Sequence, residues 1–181
     1  QQVFSAVNPV ASSHFNFSVP EPMGVVAAIA PQNNSLIGLV SIIAPIIAGG
    51  NTCIILASHS KPLCAVTFAE VLNSSDLPGG VVNILTGKVA ELASFFADHI
   101  DVNATVLCES DKVLLAMVKE KAANNVKRVY SYDKTDWLSA EAQSPYFITD
   151  LLEIKTTWHP VENIGGAKAG DLGRRLIRLS R

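Results

Sequence analysis

Of the 30 charged residues in this chain, only Glu21 lies in the first 60 positions, and nothing from Pro22 to Ser60 carries a charge. Two environments accept such a run: the hydrocarbon of a bilayer, or the buried centre of a layered fold. Residues Leu36 to Ala57 are long enough to span, since a transmembrane helix needs about 20 apolar residues. Pro45 and the triplet Gly49-Gly50-Asn51 interrupt them, however, and Gly-Gly-Asn is helix-ending chemistry. The next stretch, Thr52-Cys53-Ile54-Ile55-Leu56, is short and β-branched, as a buried parallel strand is. The run therefore reads as helix, glycine turn and buried strand rather than one spanning helix.

The rest of the composition agrees with a layered core. Hydrophobic residues make up 49% of the 181 positions and charged ones 17%, so the chain can bury enough apolar surface to offset its ordering entropy. A net charge of -2 excludes a nucleic-acid binder driven by a global basic field. Cys53, Cys64 and Cys108 form an odd set without CxxC spacing, which points away from a disulfide framework and towards a reduced, cytoplasmic setting. His14, His59, His99 and His159 have no metal-ligand spacing, so no metal site is expected. The sequons at Asn16, Asn33, Asn73 and Asn103 read as incidental, and the start at Gln1-Gln2 reads as a piece of a longer chain.

Strand-like runs recur at Gly24–Ala30, Thr52–Leu56, Val81–Leu85, Asn103–Leu107 and Lys127–Ser131. Between them lie stretches of helical length, Leu36–Ala48, Pro62–Ser74, Val89–Ala97 and Asp111–Ala123. This alternation predicts an α/β fold, a doubly wound, mostly parallel sheet with helices on both faces, because parallel strands need crossover connections. In the second helix Ala65, Phe68, Ala69 and Leu72 share a face; in the fourth, Val113, Leu114, Met117 and Val118 are the expected buried stripe. Outside the repeat, residues 1–20 read as an extended arm and 21–133 as the layered domain. Residues 134–149 read as a polar linker with a short helix near Trp137–Gln143, 150–160 as a strand, and 161–181 as a basic tail. In that tail Arg174, Arg175, Arg178 and Arg181 surround Leu172, Leu176, Ile177 and Leu179, a pattern suited to an acidic partner or membrane surface.

Three blocks carry a resemblance. Glu21-Pro22-Met23-Gly24-Val25-Val26 with Ala30-Pro31-Gln32-Asn33 resembles the E-P-x-G-V-V…P-W-N segment of the aldehyde dehydrogenase superfamily. Ile43-Ala44-Pro45-Ile46-Ile47-Ala48-Gly49-Gly50-Asn51-Thr52 resembles its I-A-P-A-L-A-A-G-N-T, and Leu77-Pro78-Gly79-Gly80-Val81-Val82-Asn83-Ile84-Leu85-Thr86-Gly87 its F-P-P-G-V-V-N-I-V-x-G. The blocks keep order and spacing over residues 21–87. Near the end, Glu153-Ile154-Lys155-Thr156-Thr157-Trp158 is similar to the superfamily's oligomerisation strand. The resemblance implies a Rossmann-like NAD-binding half-domain with flanking oligomerisation strands. The divergent second module of tandem, family-sixteen type aldehyde dehydrogenases is the nearest arrangement.

The same resemblance implies that much of the chemistry has gone. Asn33 falls where the family has its oxyanion-stabilising Asn, a vestigial catalytic donor, but Gln32, Asn34 and Ser35 replace its aromatic neighbours. The ribose-holding K-P-S-E falls on Ala57-Ser58-His59-Ser60, without Lys or Glu. The F-T-G-S turn falls on Leu107-Cys108-Glu109-Ser110, placing a carboxylate where glycine lets backbone approach a pyrophosphate. The general-base Glu falls on Tyr132, a poor proton acceptor at neutral pH. None of the three cysteines stands where the nucleophile would be. Pro31, Asn33, Ser58 and Ser110 remain as candidate cofactor contacts, in a pocket between the ends of the second and fourth strands of the repeat.

The leading expectation is a catalytically inactive assembly module, a pseudoenzyme without a resident cofactor. It would pair through 150–160 with a second copy or with a catalytic aldehyde dehydrogenase module. The alternative is a residual NAD(P)-binding module supporting aldehyde oxidation by an attached or partner catalytic module. An aldehyde oxidoreductase using Asn33 and an unrecognised nucleophile is the third reading.

Overall fold

The structure, a computed structural model, describes residues 6–10 and 13–161. Those residues fall into two compact units. The larger, Glu21–Glu153, is built on five parallel strands: β3 (Val25–Ile29), β4 (Thr52–Leu56), β5 (Val82–Leu85), β6 (Ala104–Leu107) and β7 (Arg128–Ser131), in the spatial order β5-β4-β3-β6-β7. Register is continuous across the middle: Val26 lies opposite Cys53 on one side and Ala104 on the other. The doubly wound parallel sheet read from the alternation is the observed fold, with each predicted strand and helix found within a residue or two.

The period of two along the strands separates two cores. Val26, Ala28, Cys53, Ile55, Ala104 and Val106 point to one face, where they meet α1 (Ile37–Ala48) and Ala65 and Phe68 of α2 (Leu63–Asn73). Ala27, Ile29, Leu56 and Leu107 point to the other and meet α3 (Val89–Asp98) and α4 (Lys112–Ala123). Both faces are covered, which is why the central strands are uncharged throughout. The centre of the uncharged run, strands β3 and β4 and the inner face of α1, is core, while Pro22, Asn33, Leu36, His59 and Ser60 are exposed. Helix α1 is 12 residues long with Pro45 inside it, and no helix among the described residues is long and apolar enough to cross a membrane.

Helix ends are set by backbone geometry. Helix α1 closes with Asn51 N–H donating to Ile46 O and Gly50 N–H to Ile47 O, with Gly50 at φ 85°. This is the Schellman arrangement, whose left-handed residue is normally glycine. Helix α4 closes with the same pair of bonds, Lys127 N–H to Ala122 O and Val126 N–H to Ala123 O, but the left-handed residue is Val126, at φ 54°. A β-branched side chain there costs on the order of 1 kcal/mol. The stripe of α4 also differs from expectation. Of the expected residues Leu114, Met117 and Val118 do pack on the sheet, joined by Leu115, but Val113 is 79% exposed. Asp111 caps the helix, so its first turn starts with Val113 facing outward.

The stretch 134–149, expected as a polar linker, is instead part of the packed domain. Trp137 and Ala142 are buried in the first core together with Leu151, and the stretch forms a 3₁₀ turn (Ala140–Gln143) and α5 (Tyr146–Asp150). Asn51, itself buried, fixes the far end: its amide donates to Leu151 O and accepts from Gly24 N–H, each at 2.9 Å.

In the smaller unit, the extended arm forms β1 (Ala6–Asn8) and most of β2 (His14–Pro22), which pair antiparallel with Asn8 opposite Asn16. β8 (Leu152–Pro160) is the third strand, in the order β1-β2-β8. Val161 N–H donates to Ser13 O, and the hydroxyls of Ser18 and Thr156 lie 2.8 Å apart. The Arg-rich part of the tail lies outside the described residues.

Candidate functional site

Strand order reverses between β3 and β6: from β3 the chain crosses to β4 on one side, then returns to place β6 on the other. In open α/β sheets ligands bind outside the carboxyl ends of the strands at such a switch point. Three loops meet there, those after β3, β4 and β6. β4 and β6 flank β3, so the pocket expected between their ends is where the loop after β3 emerges.

Gln32 is the hub of that loop. Its backbone N–H donates to Glu109 Oε1 at 3.2 Å, and its carbonyl accepts from the Ser58 hydroxyl at 2.9 Å. Its side-chain Oε1 accepts from His59 N–H at 2.8 Å. Three loops are thereby tied through one residue. Ser58 is buried, and its oxygen also accepts from Lys61 N–H at 3.3 Å. Lys61 Nζ reaches Asn33 O at 3.4 Å. Across the switch point, Asp111 accepts from Val113 N–H at 2.8 Å and Leu114 N–H at 3.2 Å, capping α4.

The candidate cofactor residues separate into two kinds. Pro31 is buried, and a Cβ added to Gly38 of α1 would come within 2.2 Å of its Cγ, so it packs against the first turn of that helix. Ser58 spends its hydroxyl on the Gln32 carbonyl. Asn33 and Ser110 are exposed. The sequence gives no sign of Gln32, because much of its role is made by backbone groups, which residue identity does not announce.

The catalytic positions are also accounted for. Tyr132 donates its hydroxyl to Asp150 Oδ2 at 3.0 Å and packs edge-on to Phe147 at a centroid separation of 4.7 Å. Burial, with the Asp150 charge beside it, holds its phenol well above the ordinary range. A phenol already donating to a carboxylate cannot serve as a general base. Burial pushes the Cys53 thiol up to about 11, and burial with the Glu109 charge pushes Cys108 higher still. Neither supplies thiolate at neutral pH.

The aldehyde dehydrogenase family profile matches residues 2–132. The chain belongs to the aldehyde dehydrogenase family. It is 32% identical over 143 residues to the NADP/NAD-dependent aldehyde dehydrogenase PuuC of Escherichia coli strain K12, covering 79% of this chain and 28% of the relative. It is 38% identical over 93 residues to the hydroxyisobutyraldehyde dehydrogenase of Mycolicibacterium austroafricanum, covering 51% of this chain and 18% of that enzyme. Among solved structures, PnpE in complex with nicotinamide adenine dinucleotide superposes with TM-score 0.67 at 29% identity, over 71% of this chain and 26% of PnpE. The chain spans about a quarter of the length of the aldehyde dehydrogenases it resembles.

At the switch point the groups that could receive a dinucleotide's pyrophosphate are already hydrogen-bonded within the chain. A pyrophosphate at a switch point is held by backbone N–H groups and a helix N-terminus. Here the Gln32 N–H and the second and third amides of α4 already face carboxylates of the chain itself.

Proposed function

We propose that this chain is a non-catalytic aldehyde dehydrogenase-type domain that serves assembly, as part of a longer protein of that family in a reduced, cytoplasmic compartment. The observation that carries the reading is β8. Among the described residues it is an outer strand of its sheet, and Ile154 and Trp158 stand exposed along it at 59% and 58%. An exposed edge with apolar side chains is a template for adding a further strand. The occupant is a second copy of the chain or a catalytic aldehyde dehydrogenase module, engaged through residues 150–160.

Support also comes from what the site lacks. Tyr132 is committed to Asp150, Cys53 and Cys108 are buried thiols, and no cluster of three His, Cys, Asp or Glu suited to a metal ion occurs among the described residues. Retention of NAD(P) in support of aldehyde oxidation is the weaker reading, because the amides a pyrophosphate would need are engaged. Light scattering on the full chain and on an Ile154→Lys/Trp158→Lys variant tests the assembly role. We expect an oligomer that drops to monomer mass in the variant; an unchanged mass contradicts the proposal.

A further inference from the structure

The two carboxylates at the switch point do more than fail to help a dinucleotide. Glu109 comes just after β6 and is half-buried, with its Oε1 on the Gln32 N–H at the end of β3. Two residues on, Asp111 Oδ1 takes the N–H groups of Val113 and Leu114, the second and third amides of the 12-residue helix that follows β6. Such amides, when unpaired, and the positive end of the helix dipole are what makes a switch point attract an anion. Both sets are taken by negative oxygens from one four-residue turn, 108–111. Asp111 alone is an ordinary helix cap. Glu109 is not: it reaches across the point of strand reversal to a different strand's loop.

We propose that Glu109 and Asp111 occupy the anion-receiving amides of the ancestral dinucleotide crevice from within, making it a self-occupied site that excludes nicotinamide dinucleotides and inorganic pyrophosphate. The inference rests on reading the crevice as the counterpart of the family's nucleotide site. It does not depend on β8 joining a partner. Burial holds the Glu109 carboxyl above its ordinary range, with the Gln32 N–H offsetting only part of that rise and the neighbouring Asp111 charge adding to it. An incoming phosphate would have to displace that oxygen and then sit beside the Asp111 charge, and like charges in a partly desolvated cleft repel.

The test is calorimetric titration of the full chain with NAD and, separately, with inorganic pyrophosphate, comparing wild type with Glu109→Gly and with Glu109→Gly/Asp111→Ser. Serine keeps a helix cap while removing the second charge. Wild type should show no saturable heat up to millimolar ligand. Glu109→Gly should gain binding at least tenfold above that limit, and the double variant should bind at least as well. Saturable binding by wild type, or folded variants as blind as wild type, overturns the proposal. A measurement on wild type guards against variants that fail to fold. The Gln32 amide should exchange with solvent deuterium at least tenfold more slowly than in an unstructured peptide, and its resonance should not move on adding NAD. Fast exchange, or a saturable shift, counts equally against self-occupation.

Discussion

At the scale of single residues, the same backbone device is visible in one place and hidden in another. Gly50 ends α1 in the left-handed region, and the Gly49-Gly50-Asn51 triplet announces that end. Val126 ends α4 with the same two hydrogen bonds, but Asn124-Asn125-Val126 carries no glycine to mark it. Turn chemistry is legible when the residue type suits the turn and illegible when, as at the 90% exposed Val126, only the closing backbone bonds mark it. The thiols obey a similar logic. Cys53 in an apolar strand is readable as inert, and its raised thiol agrees. Cys64 lies on α2 and is only partly buried. Titration of the native protein with a thiol reagent at pH 8 should therefore release about one equivalent rapidly, from Cys64, while Cys53 and Cys108 react only after unfolding. Fast modification of Cys108 in the native state would show a reactive site that its surroundings do not support.

At the scale of elements, the strands and helices of the parallel sheet are legible because strand runs and helical stretches alternate at lengths that only a crossover repeat accommodates. The stretch 134–151 is not. Its sequence is locally polar at Lys134, Thr135 and Asp136, and its structure is decided by distant partners. Trp137 and Phe147 stack with ring centroids 6.5 Å apart beside Tyr132, Gln143 donates to the Ser41 hydroxyl of α1 at 3.1 Å, and Asn51 holds the Leu151 carbonyl. Arg128 of β7 adds a bond to Leu152 O at 2.9 Å. Asn51 is therefore the residue on which both the start of β3 and the end of this segment depend. Replacing it with alanine leaves the Gly24 N–H and the Leu151 carbonyl unpaired in a buried setting, a cost of roughly 3 kcal/mol. Chemical denaturation of Asn51→Ala should show that loss with little change in the dependence on denaturant concentration. A loss below about 0.5 kcal/mol would mean that water replaces both bonds.

At the scale of the whole molecule, the family blocks from Glu21 to Gly87 cover β3, β4 and β5, the alternation of strand and helix supplies β6 and β7, and the family match over residues 2–132 agrees with both. The candidate site is legible only as a set of losses. The resemblance implies that Ala57-Ser58-His59-Ser60 lacks ribose-binding charges and that Glu109 falls on a glycine position. That Gln32 gathers three loops through its backbone and amide cannot be read from residue types, because it depends on the separation of strand ends in space. The proposed reading is that the molecule keeps the family's parallel-sheet framework while Gln32, Ser58, Glu109 and Asp111 bond to one another and to neighbouring backbone. Purified full-length chain, at high concentration with NAD or NADP and a panel of short and aromatic aldehydes, measures this most directly. We expect no aldehyde-dependent formation of NADH or NADPH above the buffer rate; steady turnover abolished by replacing one cysteine with serine would instead reveal a working nucleophile.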